Sequence, residues 1–266
     1  GGEGPRLRPL SLGMPKPMPP LLGRPVMEHI INLLKAHSIT DICVTLCYKP
    51  QMVMDYFDSG DRLGVRLTWF VEDEPLGTAG SVKNCMDHLE DEDFLVISGD
   101  CVCDPDLTAL LRFHRERGAE ATLALYRHQN PLEYGLVLTD RDGRVERFVE
   151  KPGWGQVFTD QINTGIYLLS PAAMERVPQG RAFDFGKDLF PALLREGAPL
   201  FALPLEGYWC DMGDSRAYLS CTCDALSGKV RLDMGLPKRA AGIWSAAPLP
   251  KGLNLVPPCW IGQGVS

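Results

Sequence analysis

Apolar and polar positions along the chain alternate between two rhythms. Ile30, Ile31, Leu33 and Leu34 recur at helical spacing and predict a helix over residues 27–37. Residues 41–48, DICVTLCY, form a short apolar, β-rich run and predict a buried strand. Lys49-Pro50 breaks the pattern. Residues 51–57 then read as a short helix stopped at Ser59-Gly60, and 65–71 as the next strand, ending in acids. A helix over 81–89 follows. Residues 94–98, FLVIS, are continuously apolar, which predicts a central strand buried on both faces. Leu107, Leu110, Leu111 and His114 share one face of a helix over 105–117, with Asp104 as its cap and Pro105 at its first position. A strand over 121–126 comes next. Helix and strand in repetition predict an α/β fold with a parallel sheet, whose ligands sit at the carboxyl ends of strands.

The rhythm then changes. Residues 135–138 and 145–149 flank Asp140-Arg141-Asp142-Gly143, a turn signal, and predict a hairpin. A strand over 162–168 and a short helix over 171–177 follow. Asp184-Phe185 are read as capping and starting a longer helix that Gly197 stops. A strand over 200–203 and a helix over 215–226 complete the pattern. After Gly228 prolines, glycines and small residues take over. We therefore divide the chain into a domain over 1–228 and a linker and tail over 229–266.

Composition narrows the classes. With 266 residues, 45% apolar and 23% charged, the chain has the makeup of a soluble globular protein. A net charge of -7 argues against a nucleic-acid binder, which is usually basic. No run of about 18 apolar residues occurs, which argues against a membrane span, and no signal peptide is visible. The nine cysteines are scattered and include only CxC pairs, Cys101/Cys103 and Cys221/Cys223. They read as reduced thiols of a cytoplasmic protein rather than a zinc site.

Candidate chemistry concentrates at a few places. Gly1, Gly2 and Gly4 open the chain, followed by Arg6, Arg8 and Lys16. Such a loop can bring N–H groups up to phosphate oxygens while the side chains add positive charge. Glu74-Pro-Leu-Gly77-Thr78-Ala-Gly80 lies between a strand and a helix, and its glycines allow a flat ligand close; a plain turn capped by Thr78 is the alternative. Asp100 ends a buried strand, where an acid is costly unless its charge is offset. Beside a nucleotide, Mg2+ would offset it; helix capping is the other reading.

The first seventeen residues, GGEGPRLRPLSLGMPKP, resemble the signature loop of the sugar-phosphate nucleotidyltransferases, GGxGTRLxPLT…PKP, with Pro5 where Thr is common. Pro5 removes one N–H donor there. In that family the loop follows a buried strand, so the resemblance implies a first strand missing before Gly1. PLGTAG, Tyr134-Gly135, Glu150-Lys151-Pro152, Asn163-Thr164-Gly165 and Gly207-Tyr-Trp-Cys-Asp211-Met-Gly213 recur in the family's order. The resemblance is to the mannose-1-phosphate guanylyltransferase type. It implies a Rossmann-like mixed-sheet, glycosyltransferase-A-like domain. Gly1, Gly2, Gly4, Arg6, Glu74, Gly77 and Thr78 would take the nucleotide. Gly135, Glu150, Lys151, Asn163 and Thr164 would take the sugar phosphate. Asp100 and Asp211 would hold Mg2+, and Arg6, Lys16 and Lys151 would balance phosphate charge.

Residues 258–265 resemble one hexapeptide turn of a left-handed β-helix. The implied reaction joins a nucleoside triphosphate, with GTP favoured, to a sugar 1-phosphate, with mannose 1-phosphate favoured. The implied enzyme is a homo-oligomer without nucleic-acid or membrane partners. Thymidylyl, uridylyl or adenylyl transfer to glucose 1-phosphate is the neighbouring alternative. A non-catalytic subunit that binds nucleotide sugars is the alternative from another class.

Overall fold

A computed structural model describes residues 2, 4–89, 91–250 and 252–265, and not the side chain of Pro5. A small hairpin, β1 (Pro20–Leu21) and β2 (Arg24–Pro25), leads into helix α1 (Val26–Ala36), strand β3 (Asp41–Leu46), helix α2 (Pro50–Phe57) and strand β4 (Arg66–Val71). Helix α3 (Gly77–Lys83), strands β5 (Phe94–Ile97) and β6 (Cys101–Cys103), helix α4 (Leu107–Arg117) and strand β7 (Ala121–Arg127) continue the α/β half. The hairpin β8 (Gly135–Thr139) and β9 (Val145–Glu150) precedes the long strand β10 (Gln161–Leu169) and helix α5 (Pro171–Met174). Helix α6 (Phe190–Glu196), strands β11 (Leu200–Pro204) and β12 (Trp209–Asp211) and helix α7 (Ser215–Leu226) close the domain. The tail adds β13 (Lys238–Ala240), β14 (Ile243–Ser245) and β15 (Cys259–Ile261).

The sheet is mixed, not parallel, because β10 runs through its centre against its neighbours. One edge of β10 pairs antiparallel with β7, which pairs parallel with β11. The other edge is shared: Ile162 faces Leu136 of β8, and Ile166–Leu169 face β5. The switch occurs at Gly165, at φ +78°, where the register shifts between Asn163 and Tyr167. A side chain there would meet Ser98 Oγ at 2.8 Å, so only glycine lets β10 bulge between its two partners. The NTG segment thus forms a bulge.

Strands β3 and β4 form a separate parallel pair. Strand β5 is half-buried along its whole length, not buried on both faces, because its far side opens onto a cleft of about 1090 Å³. Ile42, Val44 and Leu46 of β3 line the cleft from the other side. The core divides accordingly. One cluster packs β7, β10 and β11 against α5 and α6 through Leu123, Leu125, Tyr167, Phe185 and Phe190. A second sits beneath α1 and α4, through Ile30, Leu34, Leu107, Leu110 and Trp209. His114 belongs to this buried side, its Nδ1 2.8 Å from Thr122 Oγ1, as a packing residue.

Three local expectations need correction. Asp104 does not cap α4; Asp106 does, accepting from Ala109 N at 3.0 Å. Asp104 is buried and turned instead toward Tyr208 and Arg231. Asp184 makes no side-chain cap on the helix after it, which opens as a π-helical turn over Phe185–Leu189 before Pro191 resumes α6. The third helix begins at Gly77 rather than at residue 81. In the tail, β14 pairs antiparallel with β13 and parallel with β15.

Candidate active site

The opening loop folds back on itself. Lys16 N donates to Gly2 O at 3.0 Å, and the Ser11 hydroxyl donates to Gly4 O at 2.6 Å. Leu7 is fully buried and anchors a 3-10 turn over Pro5–Leu7. Gly4 has φ +59°, and a Cβ there would press on Lys16 Cγ at 3.2 Å. The expectation for Gly1 lies outside the described residues. Gly2 is exposed and lines the cleft. The loop is tied to the end of β3 by Lys49, whose Nζ donates to Gly13 O at 2.8 Å.

Two short strands bring the distant acids together. Strand β12 pairs antiparallel with β6, so Asp211 stands opposite Cys101, next to Asp100. Lys16 Nζ lies 2.6 Å from Asp100 Oδ2 and 3.1 Å from Asp211 Oδ1. All three side chains are mostly buried. Burial opposes the Lys16 charge, but the two carboxylates outweigh it and hold the ammonium above its ordinary pKa. Lys16 stays charged at any physiological pH. Arg6 reaches the same place from the surface. Its Nη1 pairs with Glu133 at 2.7 Å, and a Cβ at Gly213 would stand 3.3 Å from its Nη2. Tyr134 packs edge-on against Trp209 at 5.5 Å, so the start of the hairpin abuts the strand that carries Asp211.

The side of the cleft expected to take the base differs in detail from expectation. Gly77 and Thr78 line it; Glu74 is exposed and does not. The acid that does is Glu72, which sequence reading passed over. Its signal was present: an acid at the tip of a half-buried strand, the argument applied to Asp100. Gly77 and Gly80 give close approach to backbone, not to open space. A Cβ at Gly77 would meet Phe183 O at 2.7 Å, and one at Gly80 would meet Arg181 O at 2.6 Å. Thr78 is held by Asp184 Oδ1, which accepts from both its N–H and its hydroxyl at 3.1 Å.

The residues expected to take the sugar phosphate lie mostly around Glu150. Gly135 pairs with Glu150 across the hairpin, and a Cβ at Gly135 would meet Glu150 Oε2 at 2.7 Å and Asn163 Cβ at 3.4 Å. Asn163 Nδ2 donates to the Tyr167 hydroxyl at 2.9 Å, and Tyr167 lines the cleft. Lys151 is exposed, with φ +45°, a left-handed backbone uncommon outside glycine. Thr164 points the other way. It is buried, and its hydroxyl donates to Ala124 O at 2.8 Å, so the hydroxyl is not presented to the cleft. Strand alternation explains this: Asn163 and Thr164 cannot share a face.

Comparison with known proteins decides the family. Residues 1–228 match the family model described as nucleotidyl transferase. The chain belongs to the nucleotidyl transferase family. It is 37% identical over 229 residues to a mannose-1-phosphate guanylyltransferase of Mycobacterium tuberculosis, covering 86% of this chain and 63% of that protein. It is 35% identical over 243 residues to a UTP–glucose-1-phosphate uridylyltransferase of Synechocystis sp., with the same two coverages, 86% and 63%. The chain thus spans a little under two thirds of either relative. Among solved structures, HddC from Yersinia pseudotuberculosis complexed with GMP-PN superposes with a TM-score of 0.72 at 27% identity, covering 85% of this chain and 96% of that one. Lys16, Asp100 and Asp211 all lie within the residues matched to that family model.

Proposed function

We propose that the chain transfers a guanylyl group from GTP to mannose 1-phosphate. The observation that carries this reading is the convergence of Lys16 with Asp100 and Asp211, Asp100 lining the cleft together with Gly2 of the glycine-rich loop. A phosphate oxygen of the sugar 1-phosphate attacks the α-phosphorus of GTP. The bond from that phosphorus to the bridging oxygen breaks, and pyrophosphate leaves with the electron pair. The nucleophile is already an anion, so no general base is needed. The protein's part is positioning and charge balance.

Arg6 and Lys16 would steady the departing pyrophosphate. Lys151 would pair with the phosphate of the sugar, and Glu150 and Asn163 would accept from or donate to its hydroxyls. Gly2, Gly4, Gly77 and Thr78 would line the nucleotide. The two carboxylates suit Mg2+: they are hard oxygen donors that already share one cation, the Lys16 ammonium. Among the described residues no third metal-ligating side chain joins them, so phosphate oxygens and water would complete the shell. A bound Mg2+ would supply Lewis-acid polarisation of the phosphate oxygens.

Guanine and mannose rest on the guanylyltransferase relative and the GMP-PN complex. The uridylyltransferase relative keeps uridylyl transfer to glucose 1-phosphate as the second reading. We further read the protein as a cytoplasmic homo-oligomer. No described helix is long and apolar enough to cross a membrane. The parallel β14–β15 pair supports reading the tail as the opening of a left-handed β-helix. The test is pyrophosphate release with Mg2+ across a panel of nucleoside triphosphates and sugar 1-phosphates. GTP with mannose 1-phosphate should turn over fastest. Asp100→Asn should cut that rate about 100-fold or more; near-normal turnover would remove Asp100 from the chemistry.

A further inference from the structure

We propose that Cys210 and Cys221 form a reversible disulfide that draws Asp211 away from Lys16 and switches the site off. The effect on turnover rests on the nucleotidyl-transfer reading; the bond itself does not. Cys210 stands on β12 between Trp209 and Asp211, and successive side chains of a strand point to opposite faces. Trp209 packs in the cluster beneath α1 and α4, whereas Cys210 packs against the cluster that holds Val102 and Cys221. Asp211 thus turns to Lys16, at 3.1 Å, and Cys210 turns to α7. Cys221 meets it from that helix. Cys210 Sγ lies 4.0 Å from Ala217 O, one turn before Cys221, and the two cysteine side chains are hydrogen-bonded to each other. The proposed transfer reaction uses neither thiol.

A second thiol pair flanks the other acid but is built differently. Cys101 and Cys103 are buried on β6 with their sulfurs 4.0 Å apart. They stand two residues apart on one strand, so their Cβ atoms point the same way and start about 6.5 to 7 Å apart. A disulfide needs Cβ atoms about 3.5 to 4.5 Å apart. Bridging that pair would require breaking the pleat of β6. Cys210 and Cys221 approach from two different elements, which is the arrangement a cross-link needs.

Cys210 keeps part of its surface exposed and Cys221 is fully buried, so Cys210 is the one that meets an oxidant. With a small-molecule disulfide as oxidant, the Cys210 sulfur attacks one of its sulfurs. That S–S bond breaks, and one thiol leaves with the Cys210 proton. The Cys221 sulfur then attacks Cys210 in the mixed disulfide, and the second thiol leaves with the Cys221 proton. Two protein thiols are oxidised and one small disulfide is reduced to two thiols. The new bond brings the sulfurs well inside non-bonded contact, so β12 or α7 must move. Helix α7 is the better anchored. Asp214 caps it, accepting from Ala217 N at 2.8 Å, and the Tyr218 hydroxyl donates to Pro20 O at 2.6 Å. Strand β12 has three residues and pairs only with β6. The strand therefore yields, and Asp211, the next residue, shifts with it.

The experiment treats the full chain with oxidised glutathione and maps its disulfides by peptide mass spectrometry. A link between residues 210 and 221 should form, and pyrophosphate release should fall about 100-fold, the cost of misplacing a catalytic group by about 1 Å. Dithiothreitol should restore the rate. Cys210→Ser should keep the reduced wild-type rate and resist the oxidant. Cys223→Ser, which removes an exposed thiol from the same helix, should be inactivated as wild type is. Amide exchange across the β6–β12 pairing should quicken on oxidation, which reads the displacement without any substrate. A glutathione adduct on Cys210 in place of the link, or a link between Cys101 and Cys103, overturns the assignment. So does equal inactivation of Cys210→Ser. A link that forms while exchange and turnover stay unchanged overturns the switch. Reduced wild type that transfers no nucleotide overturns the nucleotidyl-transfer reading, and mapping and exchange then decide the disulfide by themselves. Neither of those two needs a variant, so both hold if Cys210→Ser folds poorly.

Discussion

Glu150 is held between two glycines. A Cβ at Gly135 would stand 2.7 Å from its Oε2, and one at Gly186 would stand 2.5 Å away. Burial pushes its carboxyl above the ordinary range; Lys151 and Lys187 pull it back without cancelling the shift. A carboxyl raised in the fold contributes stability that is complete below its unfolded pKa and lost as pH rises through the folded value. Glu150→Gln removes that loss. The variant should be more stable than its parent at pH 7 to 8, with the difference vanishing below about pH 4. Urea midpoints at each pH check this, and a variant less stable at neutral pH would contradict it. The same change should raise KM for the sugar phosphate, because one acceptor becomes a donor. Single residues of this kind were legible where chemistry alone marks them. Asp100 could be picked out because an acid at the end of a buried strand has few other uses, whereas Asp211 and Lys16 came only with the family resemblance. Glu72 was marked by the strand end expected at residue 71, but the resemblance drew the reading to Glu74 instead. Thr164 lies one step out of phase with Asn163, so its hydroxyl turns away from the cleft.

Helix α3 shows what an element can hide. Its first turn contains Gly77 and Gly80, poor helix formers whose presence suggests loop. The orphan N–H groups of that turn are satisfied from more than a hundred residues away. Ala79 N and Gly80 N both donate to Phe183 O at 2.9 Å, and Thr78 N donates to Asp184. Periodicity carries no trace of such a partner, which is why the helix read as starting late and Asp184 as serving its own helix. By contrast α1, α4, α7 and most strands were legible, because each buries its own apolar face. The cross-chain lock can be tested with a pair of glycines. Gly77→Ala places a side chain at φ +70° and 2.7 Å from Phe183 O. It should cost about 2 to 4 kcal/mol by urea unfolding, more than conformation alone. Gly118→Ala, at φ +54° with nothing within 4 Å, should cost only about 1 to 2 kcal/mol. Equal losses would mean that the contact with residue 183 contributes nothing.

At the scale of the molecule, the tail braces the strands that carry the acids. Asp104, just past β6, accepts from Tyr208 N at 2.6 Å through one oxygen and from Arg231 N at 2.7 Å through the other. One carboxylate thus joins the end of β6, the approach to β12 and the first residues after α7. Gly207 leaves room for it: a Cβ there would meet Asp104 Oδ1 at 2.8 Å. Val230 is buried among Leu21, Val26, Val102 and Met212, and Trp260 lies over Gly23 while its Nε1 donates to Met234 O at 2.9 Å. A boundary drawn at Gly228 from composition therefore separates residues that share a core. Asp104→Ala strips two backbone N–H groups of their acceptor and should cost about 2 to 4 kcal/mol. For a chain of this size that corresponds to a drop in Tm of about 4 to 16 °C. The distinguishing readout is limited proteolysis: cutting after Gly228 should accelerate in Asp104→Ala. It should not accelerate in Asp106→Ala, which loses only the cap of α4, worth about 1 kcal/mol. If both variants are cut alike, the tail is held by Val230 and Trp260 alone, and the carboxylate link between β6, β12 and the tail has no mechanical role.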